Sequence, residues 1–124
     1  YYGLDGDNTG TILESMLQSN LNEEDLRDFS CKVKKAKDKI VEYIKKSAHG
    51  KVIFAEGDDI LFKGSFHISE LQQMSQIYKD ISGGLTCSIG YGKSLKEVLL
   101  AMKFAKIEKN AIKGIVISKY ENEK

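Results

Sequence analysis

The chain has 124 residues, 41% hydrophobic and 30% charged, with a formal net charge of +1. That is the composition of a soluble globular protein, and with no Pro, no repeat and no low-complexity tract it excludes fibrous and disordered classes. Near-zero net charge gives no bulk attraction to nucleic acid or anionic membrane, and no apolar run approaches the roughly 20 residues of a bilayer span. The expectation is one domain over 1–124, cytoplasmic, with no membrane association and no stable nucleic-acid binding. Cys31 and Cys87 lack metal-ligand spacing and read as reduced thiols.

Residues 1–5 read as the end of a buried strand. Residues 6–11 are a polar turn in which Thr9 or Thr11 caps a short helix over 12–18. Asn20 or Asn22 then caps a new helix, with Glu23, Glu24 and Asp25 in its first turn, where anions suit the dipole. The longest helix covers 26–46, with Phe29, Val33, Ala36, Ile40, Tyr43 and Ile44 as its apolar stripe, and Gly50 stops it. Residues 51–55 and 60–64 form a hairpin about Glu56-Gly57-Asp58-Asp59. A helix over 68–81, capped by Ser69, turns Leu71, Met74, Ile77 and Tyr78 inward and ends at Ser82-Gly83-Gly84. A strand over 85–90 leads through Tyr91-Gly92 to a helix ending at 109. Ser94 caps that helix, Glu97 holds the capping-box position, and Leu95, Val98, Leu99, Met102, Phe104 and Ala105 form its inner face. Residues 115–120 make the last strand.

The order is β-α-α-β-β-α-β-α-β. Without the extra helix and extra strand this is βαββαβ, an α+β ferredoxin-like pattern: an antiparallel sheet with helices on one face. In such a sheet the first strand lies beside the central hairpin, which brings Asp5 toward Asp58. Carboxylates at a strand end and a tight hairpin suit a hard divalent cation, magnesium or manganese, which takes oxygen ligands and substrate phosphates. Two such ions activate a hydroxyl and neutralise leaving pyrophosphate. Asp5 and Asp58 are the leading ligands, and Asp59 is a further ligand or a base. Asp7 either meets an ion through water or braces the loop. Asn8, Thr9 and Gly10 lead into a helix N-terminus, which either binds phosphate oxygens or is an ordinary cap. Ser88 and Gly90, small residues on a strand beside the hairpin, leave space for a base or ribose, or simply pack. Tyr1, Tyr2 and Tyr91 stack on a base or pack. His49 and His67 have no partners at useful spacing.

Four segments resemble nucleotidyl-cyclase and polymerase palm domains, in order and spacing. Asp5-Gly6-Asp7-Asn8-Thr9-Gly10 resembles their first metal motif, and Glu56-Gly57-Asp58-Asp59-Ile60 the GGDEF or GGDD hairpin. Thr86-Cys87-Ser88-Ile89-Gly90 resembles the T-x-S-I-G strand. Ala101-Met102-Lys103-Phe104-Ala105-Lys106, followed by Lys109-Asn110, resembles the A-L-Y-x-A-K helix. Within this group the chain is most similar to the minimal CRISPR polymerases, small palms related to the polymerase subunit of type III CRISPR complexes. The resemblance implies a ferredoxin-like palm that makes a cyclic di- or oligonucleotide signal from nucleoside triphosphates in anti-phage defence. It implies Mg2+ (or Mn2+) on Asp5, Asp58 and the Gly6 carbonyl, with Lys106, supported by Lys109, on the triphosphate. It places Gly57 at a turn close to the nucleotide, and two sites face to face in a homodimer.

Two positions depart from the pattern. Diguanylate cyclases carry an Asn that helps read guanine where this chain has Leu13, which leaves ATP as the favoured substrate by elimination. Glu56 replaces the first Gly of the hairpin motif, which supports an alternative reading: a catalytically silent nucleotide or cyclic-dinucleotide sensor on the same fold.

Overall fold

The computed structural model describes residues 1–19 and 22–114. It contains strands β1 (Tyr2–Gly6), β2 (Lys51–Glu56), β3 (Asp59–Lys63), β4 (Cys87–Tyr91) and β5 (Ile112–Gly114). The helices are α1 (Thr9–Gln18), α2 (Glu23–Lys46), α3 (Ile68–Ser82) and α4 (Leu95–Glu108). The element order is the expected one. The strands form one sheet, β2-β3-β1-β4-β5, antiparallel except between β4 and β5. Four strands with α2 and α3 make the ferredoxin-like βαββαβ core, to which α1 and the α4–β5 unit are added. The strand expected over 115–120 and the candidate cap Asn20 lie outside the described residues.

Strand alternation puts Leu4, Ile60, Phe62, Cys87 and Ile89 on one face. There they join Ala36, Ile40 and Ile44 of α2 and Leu71, Met74 and Tyr78 of α3 in the core. Each large aliphatic or aromatic side chain so buried contributes about 1.5–3 kcal/mol. The opposite face is not open, and here the one-face expectation is corrected. A parallel β4–β5 pair needs a crossover, and α4 supplies it across that second face. Gly3 and Gly90, paired in register, form its platform: a Cβ would lie 3.1 Å from Val98 Cγ1 at Gly3 and 2.6 Å from Met102 N at Gly90.

This close approach also corrects the inner face of α4. Val98, Ala101 and Ala105 are buried where the helix approaches the sheet, and Glu97 is buried at the helix start, where its carboxylate accepts from Lys93 N. Leu95, Leu99 and Phe104 point outward, 53%, 57% and 55% exposed.

Caps set the helix starts. Asn22 Oδ1 accepts from Asp25 N at 3.0 Å and opens α2. Neither Thr9 nor Thr11 caps α1; Asn8 precedes it in the left-handed region, φ 59°, so the helix begins earlier than expected. His67, not Ser69, precedes α3, and Glu70 Oε1 accepts from His67 N at 3.2 Å. Ser94 Oγ caps α4 from Glu97 N at 3.2 Å, while Glu97 Oε2 reaches Lys93 N at 2.8 Å. Tyr2 stacks on Phe62 with ring centres 5.1 Å apart, so packing is the use of that tyrosine. Among the described residues no helix is long and apolar enough to cross a membrane.

Candidate metal and nucleotide site

The antiparallel β1–β3 register sets Asp5 opposite Asp59, and the hairpin turn adds Asp58. Each of the three carboxylates offers an oxygen, and these oxygens lie within 4.8 Å of one another. Burial, a hydrogen bond with Asp5 and the charges of Asp5 and Asp58 push the Asp59 carboxyl up to about 7. The metal-free centre therefore keeps part of a proton near neutrality.

Lys106 of α4 approaches the same group. Its Nζ lies 3.0 Å from Asp5 Oδ2 and 3.3 Å from Asp7 Oδ1, and donates to the carbonyls of Gly6 and Asp5. An ammonium already sits on the Asp5 carboxylate and the Gly6 carbonyl, so these oxygens converge on one cation. The donor set is all oxygen, as magnesium and manganese require, and the residues present fit such an ion.

Asp7 is 2% exposed and accepts from Ser88 Oγ at 2.7 Å, Thr86 Oγ1 at 2.8 Å and Asn110 N at 2.7 Å. Burial alone would raise its carboxyl. The bonds from Ser88, Asn110 and Thr86, with the Lys106 charge, outweigh burial and hold it below the usual carboxylate range. These contacts tie the end of β1 to β4 and to the end of α4. Ser88 is 0% exposed and also donates to Ala105 O at 3.3 Å. Neither Ser88 nor Gly90 offers surface to a base or ribose, because α4 lies on both. Lys109 sits at the α4 C-cap with φ 60°, exposed, beside the Asn110 amide that bonds Asp7.

On the other side of the hairpin turn, α1 and α2 enclose a cleft of about 390 Å³. Leu13, Phe29 and Val33 form apolar wall, Lys34 and Lys37 contribute charge, and Thr9, Gly57 and Asp58 complete the lining. Asn8 and Gly10 frame the α1 N-terminus, with open space beside Gly10. Gly57 holds the hairpin turn at φ 55°. The polar side of α2 thus gives Lys34 and Lys37 to the cleft, which the apolar stripe of that helix did not announce. The detectable signal was that Phe29 and Leu13 extend apolar stripes beyond the core.

Gly6 admits no side chain. A Cβ there would lie 2.5 Å from Tyr78 Oη, 2.6 Å from Asp58 Oδ2 and 2.8 Å from Thr9 Oγ1. Neither the buried Tyr78 hydroxyl nor the buried Thr9 hydroxyl makes a hydrogen bond of ordinary geometry, although Thr9 lies near enough to offset part of the rise that burial gives the Tyr78 hydroxyl. Sequence reasoning placed Tyr78 only in the core.

No curated protein and no solved structure is significantly similar to the chain. The family model of the minimal CRISPR polymerase domain, mCpol, matches residues 1–115 of the 124, and the chain belongs to that family.

Proposed function

We propose that residues 1–124 act as one palm domain, a magnesium- or manganese-dependent nucleotidyltransferase. It joins nucleoside triphosphates, ATP foremost, into a cyclic di- or oligonucleotide signal used in anti-phage defence. The observation that carries this reading is the convergence of Asp5, Asp58 and Asp59 within 4.8 Å beside a cleft, in a chain of this family.

Asp5, Asp58 and the Gly6 carbonyl would hold the ion. When bound, it supplies positive charge against the transferring and leaving phosphates. The base rests on Leu13, Phe29 and Val33; Leu13 provides no hydrogen bond with which to read guanine. The N–H groups at the α1 N-terminus, behind Asn8 at Thr9 and Gly10, donate to phosphate oxygens. Lys106, with Lys109 beside it, turns its charge from Asp5 to the triphosphate. The ribose hydroxyl oxygen bonds the α-phosphorus, the bond to the β-phosphate oxygen breaks, and pyrophosphate leaves. Asp59 takes the hydroxyl proton as the general base. Cyclisation needs two linkages, so two chains face each other as a homodimer.

The test is pyrophosphate release from each of the four ribonucleoside triphosphates with magnesium or manganese. Release by the wild type, reduced at least about 100-fold in Asp58→Ala, is expected. Glu56, in register with Asp59, supports the second reading of a silent sensor. Triphosphate that binds but releases no pyrophosphate would favour that sensor and overturn the enzyme.

A further inference from the structure

We propose that the Tyr78 and Thr9 hydroxyls are positioning groups that orient the Asp58 carboxylate for a divalent cation. This rests on the metal-site reading above.

Each acidic residue of the site differs in what holds it. Asp5 is paired with Lys106 at 3.0 Å, and Asp7 is fixed by four hydrogen bonds. The Asp58 carboxylate, at the tip of a hairpin, makes no hydrogen bond or ion pair among the described residues. Only its backbone is tied, with Gly6 N donating to its carbonyl at 3.3 Å. A ligand free to rotate loses affinity, so the site needs an orienting group.

Two hydroxyls stand in the right place. Tyr78 Oη, Thr9 Oγ1 and Asp58 Oδ2 converge on the same small space over the Gly6 Cα. Tyr78 is 0% exposed, its ring fixed among core side chains of α3 and the sheet, and its buried hydroxyl ends beside Gly6 and the Asp58 carboxylate. A buried hydroxyl without a partner is destabilising, and Phe would fill the same volume without that cost. A rigid aromatic side chain that delivers a hydroxyl to a metal-ligand carboxylate has a use that Phe cannot supply. Donation to one Asp58 oxygen, direct or through one water, leaves the other oxygen aimed at the cation. Gly6 keeps the space clear for all three groups.

The test is titration of the full chain with Mn2+ alone, following free Mn2+ by electron paramagnetic resonance, alongside thermal melting. Tyr78→Phe and Thr9→Val should each weaken Mn2+ binding about tenfold, the usual cost of losing an outer-shell partner. Their melting temperatures should hold or rise. Tyr43→Phe, which loses a hydroxyl bonded to Gln73 away from the site, should change nothing in Mn2+ affinity. Binding lost in Asp58→Ala but unchanged in Tyr78→Phe and Thr9→Val would overturn this inference and leave the metal reading intact. Weaker binding accompanied by a lowered melting temperature in both variants would assign the hydroxyls to packing and overturn it too. Equal Mn2+ binding, or none, in wild type and Asp58→Ala would overturn the metal reading and this inference together. Should Tyr78→Phe fail to fold, Thr9→Val at the start of α1 decides the question.

Discussion

Asp7 directs its carboxylate to Ser88, Thr86, the Asn110 amide and Lys106. An Asn there would set an amide N–H against at least one of those donors. Asp7→Asn should cost roughly 2–4 kcal/mol of stability, measured by denaturant unfolding, because buried charged hydrogen bonds are lost. Asp59 is the opposite case. Its folded-state pKa is raised from 3.8 to about 7, so over that window the native state keeps a proton the unfolded chain has released. Stability of the metal-free protein should therefore fall as pH rises from about 4 to about 7, and Asp59→Asn should flatten that slope. The depressed Asp7 carboxyl acts with the reverse sign and at pH below the ordinary range, so it does not mask the effect. Melting temperatures in chelator across this range check it, and a wild-type rise would contradict it. The meeting of Asp5 with Asp58 and Asp59 was legible because a ferredoxin-like sheet sets its first strand beside the central hairpin. The brace of Asp7 was one of two roles open in the sequence, and its partners Ser88 and Asn110 were not legible, because they depend on where the end of α4 lands.

At the level of elements, α2 was legible and the face of α4 was not. The α2 stripe buries Val33, Ala36, Ile40 and Ile44, large enough to mark the helix period. In α4 the sheet-facing positions are mostly small, and the most apolar ones, Leu95, Leu99 and Phe104, face out. The cause lies in another element: Gly90 of β4 lets the helix backbone come close. Gly90→Ala would place a Cβ 2.6 Å from Met102 N and 2.9 Å from Ala101 C, both backbone. Lifting α4 should cost about 1–3 kcal/mol and displace Lys106 from the acidic centre. Denaturant unfolding with and without Lys106→Ala checks this, because a helix already lifted should lose little more when Lys106 is removed. The hairpin itself was read correctly, since its β-branched flanks and Gly57 turn carry their own local chemistry.

The place of β1 beside the hairpin followed from the order of elements, because a ferredoxin-like core sets its first strand against the central hairpin; the parallel pairing of β5 with β4 did not. What covers the second face was hidden, since nothing in local patterning says which side of a sheet a crossover takes. One molecule carries one such acidic centre among the described residues, and a cyclic product needs two linkages. Phe54, Leu95 and Leu99 expose apolar surface in a cleft that also includes Asp5 and Asp59, which suits contact with a second copy. Sedimentation with a non-reacting ATP analogue and magnesium should show a dimer, and monomer alone would contradict facing sites. The most direct measurement is mass spectrometry of products after incubation with each of the four ribonucleoside triphosphates and magnesium or manganese, with Asp58→Ala in parallel. A cyclic nucleotide made from ATP by the wild type and missing from the mutant is the predicted result. Intact triphosphates under every condition, or the same products from both proteins, would contradict it.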